Sequence, residues 1–95
     1  MSAEILRVSM TSQFKRDYKL AKRRHLDISE LRRIVDLLAA RQPLPPQNRD
    51  HALHNNWEGF RECHIQPDWL LVYQILEDSL VLSLTRTGTH SDLDF

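Results

Sequence analysis

Cysteine, glycine and long apolar runs are scarce in this 95-residue sequence, and two of these shortages exclude whole classes of protein. A single cysteine cannot close an internal disulfide, which excludes the disulfide-stapled secreted folds. No apolar run approaches the roughly 20 residues that a membrane-spanning helix needs. The opening segment, MSAEILRVSM, lacks the apolar stretch of a secretory signal, so we expect a cytoplasmic protein with no membrane partner.

The short length limits how much structure the chain can support. A protein of this size buries one core between two packed layers, so residues 1–95 are expected to form a single domain. Large cofactor-binding folds are excluded, and we expect no cofactor. The sequence contains no repeat, low-complexity tract or linker.

The net charge of zero conceals two segments of opposite charge. Residues 1–61 carry twelve Lys/Arg and seven Asp/Glu, giving +5, whereas residues 62–95 carry one arginine and six acids, giving −5. Ten of the thirteen basic residues are arginine, whose planar guanidinium binds phosphate at two points. The first segment therefore suits a polyanion, although a solvated face that binds nothing is the commoner explanation of such a bias.

The first half of the sequence predicts a strand and a helical hairpin. Residues 4–10 alternate loosely and favour a strand, after which Ser12 can cap a helix. The apolar side of this helix is formed by Phe14, Tyr18 and Ala21. Asp27 or Ser29 can begin a second helix. Its predicted buried stripe comprises Ile28, Leu31, Ile34, Val35 and Leu38.

The second half predicts a loop and three strands. Residues 41–50 are rich in proline, which fixes its own backbone and restricts the preceding residue, so we expect a loop. Residues 60–65, 69–76 and 80–86 read as strands that short turns make antiparallel. The continuous apolar character of residues 69–76 predicts a central strand covered on both faces. The predicted fold is α+β, with a small, mainly antiparallel twisted sheet.

Four of the five histidines lie in the second half, together with acids that could share proton transfer with them. Period-two alternation places Glu62 and His64 on one face of a strand, and Arg61 and Cys63 on the other. Metal-free RNA cleavage needs a base, an acid and cations that stabilise the phosphorane. The candidate proton carriers are His51, Glu62, His64, Asp68 and His90.

RNA binding would draw on cations and exposed aromatic rings. The candidate phosphate-binding cations are Lys15, Lys19, Lys22, Arg23, Arg61 and Arg86. The aromatic residues that could stack on an unpaired base are Trp69, Tyr73 and Phe95.

Each candidate has a structural alternative. Isolated histidines are more often surface or packing residues, which is the preferred explanation for His25 and His54. Glu62 can instead pair with an arginine across the sheet, and aromatic residues dominate small cores. The aromatic residues for which core or rim packing is preferred are Trp57, Phe60 and Trp69. A zinc site formed by His51, His54, Cys63 and His64 is disfavoured, because adjacent strand residues point to opposite faces.

Three short motifs make a family resemblance specific. They are Arg-Glu-Cys-His-Ile at residues 61–65, Pro-Asp-Trp at residues 67–69 and Arg-Thr-Gly-Thr-His at residues 86–90. In this order and spacing, the sequence resembles the YafQ branch of the RelE superfamily of bacterial toxins. The resemblance covers essentially the whole chain, including the N-terminal strand, the basic hairpin and the proline-rich loop.

The resemblance implies a ribosome-dependent endoribonuclease that enters the decoding site of the 30S subunit and cuts messenger RNA during translation. A cognate antitoxin protein would inhibit it by covering the basic surface with an acidic or helical segment. The catalytic residues implied are His51, His64, Asp68, Arg86 and His90. His90 would be the general acid and His51 or Asp68 the base, with His64 orienting or sharing proton transfer. Glu62 occupies a position where relatives carry an acid.

Two departures from the family pattern bear on this interpretation. Asn55 stands where a glycine is expected, and asparagine tolerates the left-handed backbone that such a glycine would adopt. Asp94 separates Leu93 from Phe95, whereas relatives end with leucine followed directly by phenylalanine. The altered tail motivates an alternative function, a non-catalytic module of the same fold that binds RNA or a partner protein.

Overall fold

A five-stranded sheet with two helices packed on one face forms the framework of residues 5–93, which the computed structural model describes. The strands are β1 (Arg7–Met10), β2 (His51–Ala52), β3 (Arg61–Gln66), β4 (Trp69–Leu76) and β5 (Val81–Gly88). The helices are α1 (Ser12–Arg23), α2 (Ile28–Ala39) and the short α3 (His90–Leu93). The strand order is β1-β5-β4-β3-β2, with β1 parallel to β5 and all other pairs antiparallel. The predicted α+β fold and mainly antiparallel sheet are confirmed.

The two predicted helices form with small changes at their first residues. Thr11, not Ser12, caps α1, because its side chain accepts a hydrogen bond from the Phe14 amide at 3.0 Å. Asp27 caps α2 by accepting from the Ser29 amide at 3.1 Å. His25 has a φ of 60° between the helices, so this histidine lies in the turn of the hairpin. Of the predicted stripe on α2, the fully buried residues are Leu31, Ile34 and Leu38.

The proline-rich segment is more ordered than its composition predicts. Pro46–Asn48 forms a 3₁₀ turn, and two residues later the chain enters β2, which is too short to show an alternating pattern. The side chain of Asn48 is buried and donates to the His64 carbonyl at 2.7 Å. The loop is therefore fastened to β3.

Strand β4 lies at the centre of the sheet and is buried on both faces, as predicted. Leu71 and Tyr73 pack in the core beneath α1 and α2. Leu70 and Val72 pack on the opposite face against Leu93 of α3. Strand β5 extends to Gly88, two residues beyond the predicted end, and this extension leads directly into α3.

Three further points concern the backbone at Asn55, the length of the helices and the start of β1. Asn55 has a φ of 58°, which confirms the left-handed conformation expected at this position. Within residues 5–93, no helix combines the length and apolar character needed to cross a membrane. The predicted first residue of β1, Glu4, lies outside the described residues, and the described strand begins at Arg7.

Two isoleucines of contrasting burial test the position of the core. Ile34 is 0% exposed on α2, whereas Ile5 is 74% exposed before β1. We expect Ile34→Ala to lower the free energy of unfolding by about 2–5 kcal/mol, because it leaves a cavity in a packed core. Ile5→Ala is the matched control and should cost less than about 0.5 kcal/mol. Urea unfolding measures both values, and equal losses would contradict this placement of the core.

Candidate active site

Strand register gathers several candidate residues on the sheet face that lies opposite α1 and α2. His51 pairs with Glu62, Glu62 with Val72, and Val72 with Arg86. The next row along pairs His64 with Leu70 and Leu70 with Gly88. Because paired residues share a face, these two rows bring together side chains from β2, β3 and β5. The predicted alternation of Glu62 and His64 against Arg61 and Cys63 is confirmed.

The imidazole rings of His64 and His90 face one another at the edge of this surface. Their centroids are 5.6 Å apart, and the ring planes are inclined by 53°. His64 Nδ1 lies 3.2 Å from the Pro67 carbonyl oxygen, and His90 Nδ1 lies 2.5 Å from Asp68 Oδ1. An oxygen without a proton only accepts, so each Nδ1 is the donor and carries the hydrogen. The Nε2 atom of each ring is therefore the nitrogen left for chemistry.

Asp68 holds His90 by its main chain as well as by its ring. The Asp68 Oδ1 atom also accepts from the His90 amide at 3.0 Å. These hydrogen bonds, the one from the backbone first and the one from the ring second, lower the pKa of Asp68. A carboxylate bound in this way suits the orientation of an imidazole better than the removal of a proton from a substrate.

Both ring nitrogens of His51 lie near an oxygen atom of the protein. Its Nδ1 lies 2.7 Å from the Arg49 carbonyl oxygen, and its Nε2 lies 3.4 Å from Glu62 Oε1. Glu62 is buried, with 7% of its surface exposed. The expected alternative, an arginine partner for Glu62, is corrected, because the residue opposite Glu62 in the neighbouring strand is a histidine.

Arg86 is bound by a buried carboxylate on α1. Its Nε and one terminal nitrogen donate to the two oxygens of Asp17 at 2.8 and 3.2 Å. This contact, led by the hydrogen bond to Asp17, raises the pKa of Arg86. Asp17 was not predicted, although it follows Phe14 by three residues on the apolar side of a basic helix. An acid at that spacing is the signal that could have identified it.

Comparison with known proteins agrees with this fold. Residues 6–94 match the family model for the bacterial toxin of type II toxin-antitoxin systems, YafQ. The chain belongs to the YafQ family of toxins.

Individual relatives and solved structures are similar over most of the chain. The mRNA interferase toxin YafQ of Escherichia coli BL21-DE3 is 39% identical over 87 residues, which cover 90% of this chain and 92% of the relative. A metal-bound toxin from Helicobacter pylori superposes with a TM-score of 0.89 at 40% identity, covering 94% of this chain and 99% of the other. The E. coli DinJ–YafQ toxin–antitoxin complex gives 0.84 at 37% identity, covering 93% and 96%.

Two predicted RNA contacts of this YafQ-family chain are not brought to the histidine face. Arg61 lies on the opposite face, where its Nε donates to Asp50 and to the Tyr73 hydroxyl, both at 3.3 Å. Trp69 is 2% exposed and donates its indole N–H to Thr87 at 2.9 Å. The prediction that Trp69 stacks on a base is therefore corrected in favour of core packing, because its ring has no open face.

The other predicted RNA contacts differ in their surroundings. The predicted contacts on α1, which are Lys15, Lys19, Lys22 and Arg23, are all exposed, and so is Arg16 of the same helix. Lys22 extends over the ring of Tyr18, 5.7 Å from its centroid. Phe95 and the preceding Asp94 lie outside the described residues. The basic helix thus offers a surface of positive charge beside the sheet.

The cysteine is separated from the histidines by the sheet itself. Cys63 is 0% exposed on the helix-covered face, opposite His64. Among residues 5–93, no three histidine, cysteine or acidic side chains meet in a way that could hold a metal ion. The four residues considered for zinc therefore do not converge in this part of the chain.

Burial predicts an unreactive thiol in this YafQ-family chain. Desolvation raises the pKa of Cys63 to about 12, which leaves about one thiolate in 10,000 molecules at pH 8. We expect the folded protein to react with a disulfide reagent such as DTNB more than about 100-fold more slowly than the urea-unfolded protein. Equal rates in the two states would show that Cys63 is accessible.

Proposed function

We propose that this chain is an endoribonuclease that cuts messenger RNA during translation, by acid–base catalysis without a metal ion. The observation that carries the proposal is the facing pair of His64 and His90, each with Nδ1 bound and, among residues 5–93, with Nε2 making no hydrogen bond. Family membership supports it, because close relatives are mRNA interferase toxins.

The hydrogen bonds favour a division of roles between the two histidines. Held by Asp68, His90 is the general acid that protonates the leaving 5′ oxygen. His64 takes the proton from the attacking 2′ hydroxyl through its Nε2 atom. Asp68 and His51 are less suited to act as the base, because hydrogen bonds to His90 lower the pKa of Asp68 and both nitrogens of His51 face oxygen acceptors. This assignment replaces the expectation that one of them is the base.

Arg86 completes the proposed site as the group that faces phosphate. The Asp17 carboxylate fixes Arg86 in the row that also contains His51 and Glu62. A cation held in place before the reaction stabilises charge on the phosphorane without reorganising in the transition state. Positive charge on α1, from Lys15 to Arg23, would bind the sugar–phosphate backbone on either side of the cut.

The proposed dependence on the ribosome follows from how few groups the site contains. In-line attack by a 2′ hydroxyl needs the message bent into a particular geometry, and alignment of reactants accounts for several kcal/mol of a barrier. The decoding site of the 30S subunit would supply that alignment. Translating ribosomes lie in the cytoplasm, so the activity would be cytoplasmic.

A cognate antitoxin is the second proposed partner. The E. coli relative has been crystallised with the antitoxin DinJ. A segment that covers α1 and the histidine face would block the phosphate-binding cations and the proton carriers together. An acidic or helical segment matches the exposed basic residues of α1.

Replacing one histidine tests the enzymatic proposal. We expect His90→Gln to lower the rate of message cleavage on programmed ribosomes by about 10²- to 10⁴-fold, because it removes the general acid. His54→Gln is the matched control, since His54 is an exposed histidine between β2 and a 3₁₀ turn. Primer extension maps and quantifies the cuts in parallel reactions without and with EDTA, with Mg²⁺ in excess over the EDTA so that the ribosomes stay intact.

Each outcome of this experiment has a separate meaning. Cleavage by the unaltered protein that EDTA abolishes would overturn the metal-independent mechanism, and equal cutting of ribosome-free RNA would overturn the dependence on the ribosome. Salt-sensitive RNA binding without any cut would favour the non-catalytic alternative. Equal cleavage by His90→Gln and His54→Gln would contradict the role of His90.

The pH dependence of cleavage is a second test. Histidine changes its charge between about pH 5 and 8, so a mechanism that needs one protonated and one neutral imidazole gives a rate with a limb in this range. We expect the single-turnover rate to vary by about tenfold or more between pH 5 and 8. A flat profile over this range would contradict histidine acid–base catalysis.

A further inference from the structure

Helix α3, which carries His90, is only four residues long, and contacts with neighbouring residues hold it in place. One anchor is a reciprocal capping box, in which the Asp92 amide donates to Thr89 Oγ1 at 3.1 Å and the Thr89 amide donates to Asp92 Oδ2 at 3.0 Å. A second is Leu93, which is buried against Leu70 and Val72. Asp92 thus fixes the first turn of α3 immediately beside His90.

The Asp92 carboxylate is itself held by a residue from the other end of the chain. Arg24, which ends α1, donates to the two oxygens of Asp92 at 2.5 and 3.2 Å. Two-point contact of a guanidinium with a carboxylate fixes both distance and orientation. A Cβ atom placed on Gly88 would lie 2.9 Å from Asp92 Cβ, so Asp92 packs closely against Gly88, where a larger residue would displace it.

We propose that Arg24 is a positioning residue that holds α3, through Asp92 and Thr89, so that His90 stays in contact with Asp68 and His64. The role of His90 in catalysis rests on the proposed function, but the geometric effect of Arg24 on His90 does not. Arg24 is therefore distinct from the exposed cations of α1, whose charge is open to RNA. It acts on the reaction through the position of another side chain.

The ion pair between Arg24 and Asp92 stays charged over the whole pH range in which histidine titrates. The hydrogen bond from Arg24 is the main cause that lowers the pKa of Asp92 to about 2. A carboxyl group whose pKa is lower in the folded protein than in the unfolded chain stabilises the fold at pH values above the unfolded pKa of about 3.9. This stabilisation is lost as the pH falls toward the folded pKa. The pair is thus charged throughout the range from about pH 5 to 8, so its effect on His90 is geometric rather than a second titration.

The neighbouring Arg23 provides a matched control. Arg23 is exposed one residue away on the same helix, and within residues 5–93 it makes no ion pair. Arg23→Gln and Arg24→Gln therefore remove the same charge from almost the same place. Any difference between them reports the contact with Asp92 rather than a general loss of positive potential.

The first measurement is made on the free protein, without RNA or ribosomes. In Arg24→Gln we expect weaker ring-to-ring nuclear Overhauser contacts between His64 and His90. The Leu93 amide, which donates to the Thr89 carbonyl at 3.1 Å, should exchange with solvent at least about tenfold faster. Arg23→Gln should leave both unchanged. Unaltered contacts and exchange in Arg24→Gln would overturn the proposal.

The second measurement is cleavage on programmed ribosomes. We expect Arg24→Gln to lower kcat by about 10- to 100-fold with KM close to that of Arg23→Gln, because displacement of a catalytic group acts on the chemical step. Arg24→Lys should restore part of kcat, since it keeps the charge with one contact in place of two. A loosened α3 with unchanged kcat would overturn the positioning role. A loosened α3 in a protein that never cleaves RNA would support the clamp and refute the proposed function.

Discussion

The buried carboxylate of Asp17 joins helix α1 to strand β5, and the candidate site depends on both elements. Strand β1 ends at Met10, opposite Leu84, so the last residues of β5 pair with β4 on one side and have no strand on the other. Helix α1 takes its place, because Thr11 donates to the Thr85 carbonyl at 2.8 Å and Asp17 accepts from the Thr87 amide at 3.1 Å. The same Asp17 binds Arg86. Asp17 therefore accepts a hydrogen bond from the open edge of β5 and also fixes Arg86, a proposed catalytic cation. These contacts allow its burial, since a buried carboxylate is tolerated only when it is fully bound.

The contacts of the histidines come from turns rather than from regular strands. A register shift between His64 and Gln66 ends β3, and the tight turn that follows carries both the Pro67 carbonyl and Asp68. These two acceptors bind the rings of His64 and His90, which come from β3 and α3. The geometry of the pair is thus determined by a bulge and a turn, the places where a sheet can redirect side chains without losing its core.

Local sequence patterns predicted the helices and strands, but they did not predict the ion pairs between residues far apart in the sequence. Periodicity located α1, α2 and the central strand, because burial of one face repeats within a few residues of sequence. It also separated Glu62 from Cys63. The contacts of Arg86 with Asp17 and of Arg24 with Asp92 join residues 69 and 68 positions apart. Nothing in the spacing of either pair indicates the contact. The sequence also left two roles open for Trp69, base stacking and core packing, because an aromatic residue in a motif looks alike whether its ring is open or buried.

The division of charge along the chain has a structural use as well as the proposed role in RNA binding. The first 61 residues carry a net positive charge and the remainder a net negative charge. Two ion pairs across this boundary differ in which segment supplies the acid. Arg24 of α1 binds an acid of the second segment, and Asp17 of α1 binds the one arginine of that segment. The two pairs hold α1 along β5 and α3, which leaves the remaining cations of α1 exposed. A net charge of zero is therefore compatible with a strongly basic helix, because two of the acids that contribute to the balance, Asp17 and Asp92, bind Arg86 and Arg24 and leave the phosphate-binding surface uncovered.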